Sequence, residues 1–161
     1  RRNAARADLA VVRTGTLAAD LPAGPVTWGR LAAAEPEAAD LVLVELTGAA
    51  LEKILEQSLA EDAVPRIELA GAVVRYDPRA RAGRRIKSVA LVGGRKFRAS
   101  DSYTLVTDEA TAAGAGGLSL LHALPFERLG VMDVEAVARY LRRRPQPVEI
   151  EGAPAFISTR R

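Results

Sequence analysis

The histidine and serine residues of this sequence are where hydrolytic or metal chemistry would first be sought. The chain has one histidine, His122, and no cysteine, which excludes thiolate metal sites, disulfides and a cysteine nucleophile. A hydrolytic metal centre needs several Asp, His and Asn ligands at short spacing, and no such cluster surrounds His122. No Gly-x-Ser-x-Gly elbow is present for a serine nucleophile. His122 lies among leucines, so a structural role is favoured, and we assign neither a catalytic nor a metal-ligating residue.

A glycine cluster at Gly114, Gly116 and Gly117 has two interpretations. It could cradle a phosphate, but its spacing is not Gly-x-Gly-x-x-Gly and no lysine follows as in a P-loop. A tight turn that needs positive φ angles explains the same glycines. We therefore predict a turn here.

The composition limits the class of protein. A chain of 161 residues with 48% apolar residues fits one globular domain, and a net charge of +3 is too small to indicate a polyanion partner. The basic stretches 79–87 and 142–144 contain no interleaved aromatic residues, so we predict solvated surface and no nucleic-acid partner. No apolar run approaches the roughly 18 residues of a membrane span.

The elements that must position any site alternate between strands and helices. Thr27 is expected to cap a helix over residues 28–34, and the amphipathic pattern after Thr47 predicts another helix to Leu59. Asp133 is expected to cap a last helix that ends before Pro145. Strands are predicted over residues 8–13, 41–46, 72–76, 86–92 and 103–107. This order predicts a single α+β domain over residues 1–161, with a mixed β-sheet and packed helices.

The order of these elements resembles the C-terminal domain of the 5′-nucleotidase family, two-domain metallophosphatases that act on nucleotides and nucleotide sugars. Four stretches carry the resemblance over roughly residues 7 to 122. They are ADLAVV with DLPAGPVTW (7–12 and 20–28), LVLVELTG with its helix (41–59), LAGAVVRYDP with IKSV (69–78 and 86–89), and YTLVT with the glycine cluster (103–117).

The resemblance implies how the work is divided between domains. In the family, the N-terminal domain holds two divalent metals and performs the hydrolysis. The C-terminal domain holds the nucleoside between two aromatic rings, with Asn, Arg and Asp as polar contacts. For this chain it implies a nucleoside or nucleotide ligand, no cofactor of its own, a role in nucleotide catabolism, and a periplasmic or extracellular location.

The sequence departs from the family at the ligand positions. Arg13 stands where the family has Asn at the end of the first strand. The two stacking phenylalanines fall on Arg66 and Ala110, and a nearby polar position falls on Glu68. We therefore expect the scaffold without the aromatic sandwich.

The remaining pattern positions also differ. The family arginine of the turn after the first strand falls on Ala18, its Pro-Phe pair becomes Pro36-Glu37, and the aspartate of its glycine motif falls on Gly116. The candidate binding residues that remain are Arg13, Arg66, Glu68 and Asp108.

Three hypotheses follow for the function. The first is a non-catalytic substrate-recognition domain of a 5′-nucleotidase-like phosphoester hydrolase whose nucleoside-binding residues are largely lost. The second is a working domain of altered specificity, with Arg66 stacking on a base and Glu68 or Asp108 holding ribose hydroxyls, although a surface position beside Pro65 is the favoured interpretation of Arg66. The third is a structural or protein-interaction module derived from that domain.

The start of the chain bears on its partners. The family domain opens with a helix before the first strand, and only about seven residues precede that strand here. We expect that helix to be missing, leaving its apolar seat on the sheet exposed unless another segment or chain covers it. This predicts a fragment that contacts a missing N-terminal metallophosphatase domain or another chain.

Overall fold

The computed structural model describes residues 1–59, 62–149, 152 and 154–159. The helices in this part of the chain are α1 Arg2–Ala5, α2 Trp28–Ala34, α3 Gly48–Ser58, α4 Glu109–Ala112, α5 Ser119–His122 and α6 Asp133–Arg143. The strands are β1 Leu9–Arg13, β2 Asp40–Thr47, β3 Ile67–Ala70, β4 Ala72–Tyr76, β5 Ile86–Leu91, β6 Ser102–Asp108, β7 Phe126–Met132 and β8 Phe156–Ser158. A 3-10 turn, Ala115–Gly117, lies between α4 and α5.

The larger sheet has five strands in the order β3-β1-β6-β2-β7. Strands β1 and β6 run parallel, and the other neighbouring pairs are antiparallel. Because parallel strands end at the same edge of a sheet, Arg13 and Asp108, their last residues, are brought to one place.

The smaller sheet, in the order β5-β4-β8, shares a core with the larger one. Val74 of β4 belongs to the same buried cluster as Leu9 of β1, Leu105 of β6 and Leu55 of α3. The two sheets and α3 therefore form one hydrophobic unit.

The opposite face of the larger sheet packs on helices. Ala10, Leu41 and Val106 form a second buried cluster with Ala7, which follows α1, and Ala136 of α6. This face is thus covered in part by two helices that are far apart in sequence, α1 and α6.

The α+β class and the main helices are confirmed. Thr27 and Thr47 are the N-caps of α2 and α3, and their hydroxyl oxygens accept the backbone N–H groups of Arg30 at 3.3 Å and Ala50 at 3.2 Å. Each cap satisfies a donor that the helix leaves unpaired.

The prediction that Asp133 caps the last helix was wrong by one residue. Met132 is the N-cap of α6, and Asp133 is the first helical residue. Its Oδ1 accepts the N–H of Val134 at 2.6 Å. The carboxylate still lies at the positive end of the helix dipole.

The expectation of no helix before the first strand was also wrong. One helical turn, α1, precedes β1. An open groove of about 500 Å³ nevertheless remains beside it, lined by apolar residues that include Val12, Val137 and Tyr140.

The basic stretch 79–87 is only partly the solvated surface we predicted. Arg85 is 7% exposed, and its guanidinium donates to the backbone oxygens of Ala80 at 3.3 Å and Leu59 at 3.5 Å. Arg84, its neighbour, is exposed. The difference arises because the β4–β5 connection packs on the end of α3.

Candidate functional site

The end of β1 is held to the end of β6 through Arg13. Its Nε–H donates to Thr111 Oγ1 at 3.0 Å. Its Nη2 lies 3.4 Å from Glu37 Oε2 and 4.0 Å from Asp108 Oδ1. Three partners on three segments thus fix the orientation of this half-buried guanidinium.

Asp108 is buried and caps α4. Its Oδ1 accepts the backbone N–H of Thr111 at 2.8 Å, and its Oδ2 accepts the Thr111 hydroxyl at 2.6 Å. Both carboxylate oxygens are therefore engaged within the fold. The same Thr111 hydroxyl also accepts from Arg13, which links Arg13 to the cap.

The glycine cluster forms the turn that we predicted. Gly114, Gly116 and Gly117 have φ angles of +96°, +72° and +82°, which favour glycine. A Cβ on Gly116 would lie 3.0 Å from Cδ of Arg13. The missing side chain therefore lets Arg13 lie across the turn.

A second arginine, Arg1, lies close to Asp108 and to two further carboxylates. Arg1 Nη2 is 2.9 Å from Asp133 Oδ2 and 3.8 Å from Glu35 Oε1, while Arg1 Nη1 is 3.7 Å from Asp108 Oδ2. Burial raises the pKa of Glu35, and the nearby Asp133 raises it further against the opposing effect of Arg1.

These contacts leave little room at the sheet edge. We call the six charged side chains the ionic network: Arg1, Arg13, Glu35, Glu37, Asp108 and Asp133. The cavity that they line is about 10 Å³, roughly the space of one water molecule. Four carboxylates and two guanidinium groups also give it a formal excess of negative charge.

The family model for the 5′-nucleotidase C-terminal domain matches residues 1–123, which is most of the chain. The chain belongs to the 5′-nucleotidase C-terminal domain family. The matched segment contains the ends of β1 and β6 and the glycine turn, so it includes both Arg13 and Asp108.

Curated and solved relatives are longer than this chain. Endonuclease YhcR of Bacillus subtilis is 26% identical over 151 residues, which is 91% of this chain and 12% of that protein. The 5′-nucleotidase precursor of Thermus thermophilus superposes with a TM-score of 0.85 at 23% identity, over 99% of this chain and 33% of its own. The Haemophilus influenzae NAD nucleotidase gives 0.83 at 17% identity, over 94% and 30%. At these identities the solved structures show the fold.

The four binding residues predicted from the family pattern are separated into two pairs. Arg13 and Asp108 meet in the ionic network. Arg66 and Glu68 are exposed on and beside β3. Glu68 lies opposite Val12 and lines the open groove together with Arg1 and Glu35 of the network. Their roles in binding stay predictions.

The aromatic rings that could stack on a base lie outside the small cavity of the network, although Tyr140 lines the open groove with Arg1 and Glu35. Phe97 and Tyr103 stack at 5.4 Å between centroids near the opposite end of β6. Trp28 and Tyr140 are exposed on helices α2 and α6. No ring lines the small cavity of the network among the residues that the structure describes.

His122 ends the short helix α5 and is exposed. The leucines beside it in the sequence therefore do not bury its side chain. Over residues 1–59, 62–149, 152 and 154–159, no group of three or more His, Cys, Asp and Glu side chains is placed to hold a metal ion. None of the helices described is long and apolar enough to cross a membrane.

The sequence reasoning did not assign four network members as binding residues: Arg1, Glu35, Glu37 and Asp133. Glu37 had a signal, since it replaces an aromatic residue of the family pattern. Arg1 and Asp133 are far apart in sequence, and only the packing of α1 on α6 joins them.

Proposed function

We propose that this chain is the substrate-recognition domain of a 5′-nucleotidase-like phosphoester hydrolase, that it does not catalyse by itself, and that its nucleoside-binding residues have been replaced. The observation that carries this proposal is the ionic network. Arg13 is held by Thr111, Glu37 and Asp108 at the edge where the family resemblance places the ligand.

The size and the charge of the network's cavity support the proposal that the nucleoside-binding residues have been replaced. A cavity of about 10 Å³ cannot admit a nucleoside. The negative charge excess of the network repels a phosphate, because like charges in a partly buried site interact strongly. Arg66 and Ala110, where the resemblance places the two rings, supply no aromatic face for a base.

The family resemblance supports the rest of the proposal. An N-terminal metallophosphatase domain would hold two divalent metals, perform the hydrolysis and contact this domain. The parent protein would take part in nucleotide catabolism in the periplasm or outside the cell.

Nuclear magnetic resonance tests the binding part. Adenosine and AMP are titrated to millimolar concentration into the ¹⁵N-labelled 161-residue chain, and the amide shifts of Thr111 and Gly116 are followed. We expect no shifts. Saturable shifts at these amides contradict the replacement, whereas shifts confined to Arg66 and Glu68 favour the domain of altered specificity.

Phosphate release tests the catalytic part. We expect none when AMP is incubated with the purified chain and Mg²⁺ or Mn²⁺. Release that follows the folded chain through purification, and that a heat-denatured sample lacks, contradicts a non-catalytic role.

The open groove favours a second candidate, a structural or protein-interaction module. Its floor carries Ala10, Val12 and Ala70 from β1 and β3, with Val137 and Tyr140 of α6 as one wall. A mass measured by light scattering above that of one chain supports this candidate. A well-folded monomer that captures no partner domain speaks against it.

A further inference from the structure

Trp28 occupies an unusual position for a tryptophan. It is the first residue of α2 and is 55% exposed. Its side chain lines a shallow cleft of about 90 Å³ between α2 and α6, together with Val26, Leu141 and Arg142. Large aromatic residues are usually buried, so one that leaves more than half its surface in water at a cleft is a candidate for binding.

The end of α6 adds positive charge beside this ring. The arginine run 142–144 is exposed. Among the ion pairs of the described residues, none involves these three arginines, whereas Arg139 one turn earlier is paired with Glu135 at 3.2 Å. The guanidinium groups of the run therefore have no carboxylate to neutralise them within the described part of the chain.

Among the described residues, Gln146 rather than an arginine side chain bonds the carbonyl oxygens at the end of α6. The backbone oxygens of Leu141 and Arg144 accept the Gln146 side-chain amide at 3.0 Å and 3.2 Å. Arg144 lies over the ring of Tyr140, with 5.7 Å from Cζ to the ring centroid. Two aromatic rings thus accompany the run, Tyr140 beneath Arg144 and Trp28 beside Arg142.

We propose that the surface formed by Trp28 and the neighbouring arginine run 142–144 binds single-stranded nucleic acid. A base stacks on Trp28 and the flanking phosphates contact the arginines, which is how sequence-tolerant single-strand binding is built. A duplex hides its base faces and cannot use the ring. This surface shares no residue with the ionic network, so the inference is independent of the proposed function.

The sequence reasoning against a nucleic-acid partner rested on the separation of aromatic residues from basic stretches. That separation exists along the chain for Trp28, but the packing of α2 on α6 removes it in space. An acidic protein or an anionic membrane could use the arginines as well, but neither offers the ring a succession of planar bases on which to stack.

Trp28 is the only tryptophan in the chain, so its fluorescence reports on this surface directly. Oligothymidylate is titrated into the 161-residue chain, with the same sequence as a duplex, heparin and vesicles of phosphatidylglycerol and phosphatidylcholine in parallel. We expect the single strand to quench Trp28 and to bind at least about tenfold more tightly than the duplex, given what stacking contributes per base. Equal affinity for the duplex, for heparin or for the vesicles overturns the proposal.

Two variants of Trp28 test stacking, with binding followed by the anisotropy of a labelled oligonucleotide. Trp28→Leu is expected to weaken binding on the order of tenfold, and Trp28→Phe to restore most of it. Because Trp28 is exposed, both variants should fold, which circular dichroism checks. Unchanged affinity in Trp28→Leu overturns the proposal.

The charge test has a matched control elsewhere on the molecule. The triple change Arg142→Gln, Arg143→Gln and Arg144→Gln should lower the slope of log affinity against log salt by about 2, at roughly 0.7 per phosphate contact. The triple change Arg79→Gln, Arg81→Gln and Arg84→Gln removes the same charge from the β4–β5 loop and should leave affinity within about twofold. An equal loss in both overturns the proposal, because the binding would then depend on net charge alone.

Discussion

Adjacent arginines in this domain can have opposite surroundings. Arg85 is 7% exposed and donates to backbone oxygens of the β4–β5 loop and of Leu59 at the end of α3. Arg84 is exposed to solvent. A buried donor that holds two segments together stabilises the fold, whereas an exposed cation contributes little.

We therefore expect Arg85→Ala to lower the free energy of unfolding by about 2 kcal/mol, because Ala80 and Leu59 each lose a buried hydrogen-bond donor. Arg84→Ala should change it by less than about 0.5 kcal/mol. Urea denaturation of both variants measures the difference. Similar losses in the two would contradict the contrast in burial.

The raised pKa of Glu35 makes a prediction about pH. Its pKa in the folded state lies above the usual 4.5, chiefly because of burial. The stabilisation that comes from the protonated form is complete below the unfolded pKa and is lost as pH rises through the folded pKa. Glu35→Gln, which stays neutral, should match the parent near pH 4 and be more stable at about pH 7, as denaturant midpoints would show.

The control for this variant is Glu37→Gln. Glu37 belongs to the same ionic network, but its side chain is 66% exposed, so a stability change below about 1 kcal/mol is expected. A parent that is more stable than Glu35→Gln at neutral pH would mean that attraction to Arg1 outweighs the cost of burial.

At the scale of elements, the junction between the two sheets depends on a close backbone approach. Gly71 joins β3 to β4 with a φ of +99°, and a Cβ on it would lie 2.1 Å from the backbone oxygen of Asp8. A side chain at this position cannot be accommodated without moving β1 away from the connection.

Gly71→Ala should therefore cost more than about 2 kcal/mol, since backbone strain and the clash act together. Gly83→Ala is the matched control, because its φ is +81° but no atom lies within 4 Å of the added Cβ. It should cost about 1 kcal/mol from the backbone conformation alone. Equal costs, measured by denaturation, would show that the contact with Asp8 is unimportant.

Elements with a longer apolar or amphipathic stretch could be predicted, whereas the strands β3, β7 and β8 were not. Strands β2 and β6 carry apolar runs, and α3 carries an amphipathic pattern. These patterns are visible in the sequence since the elements pack against others and need apolar side chains on the buried faces. In β7 only Leu129 and Val131 pack on the core, and β8 has three residues. Their place in the sheets comes from backbone pairing, which any side chain allows.

At the scale of the whole molecule, the shared core predicts cooperative unfolding. Val74 of the smaller sheet is fully buried in the cluster that contains Leu9 and Leu105 of the larger sheet. Loss of packing in one sheet must therefore destabilise the other.

Val74→Ala should lower the free energy of unfolding by about 2 kcal/mol. The transitions followed by Trp28 fluorescence and by far-ultraviolet circular dichroism should shift together, although Trp28 lies outside both sheets. A shift seen by circular dichroism alone would indicate that the smaller sheet unfolds separately.

The main helices, five of the strands, the caps at Thr27 and Thr47, and the positive-φ glycine turn were determined by the sequence alone, because each depends on neighbouring residues. Tertiary structure decided which charges meet. Arg13 and Asp108 end two parallel strands, Arg1 reaches Asp133 through helix packing, and Trp28 lies beside Arg142. Such pairs are distant along the chain, so no local pattern encodes them, and only the packing of sheets and helices brings them into contact.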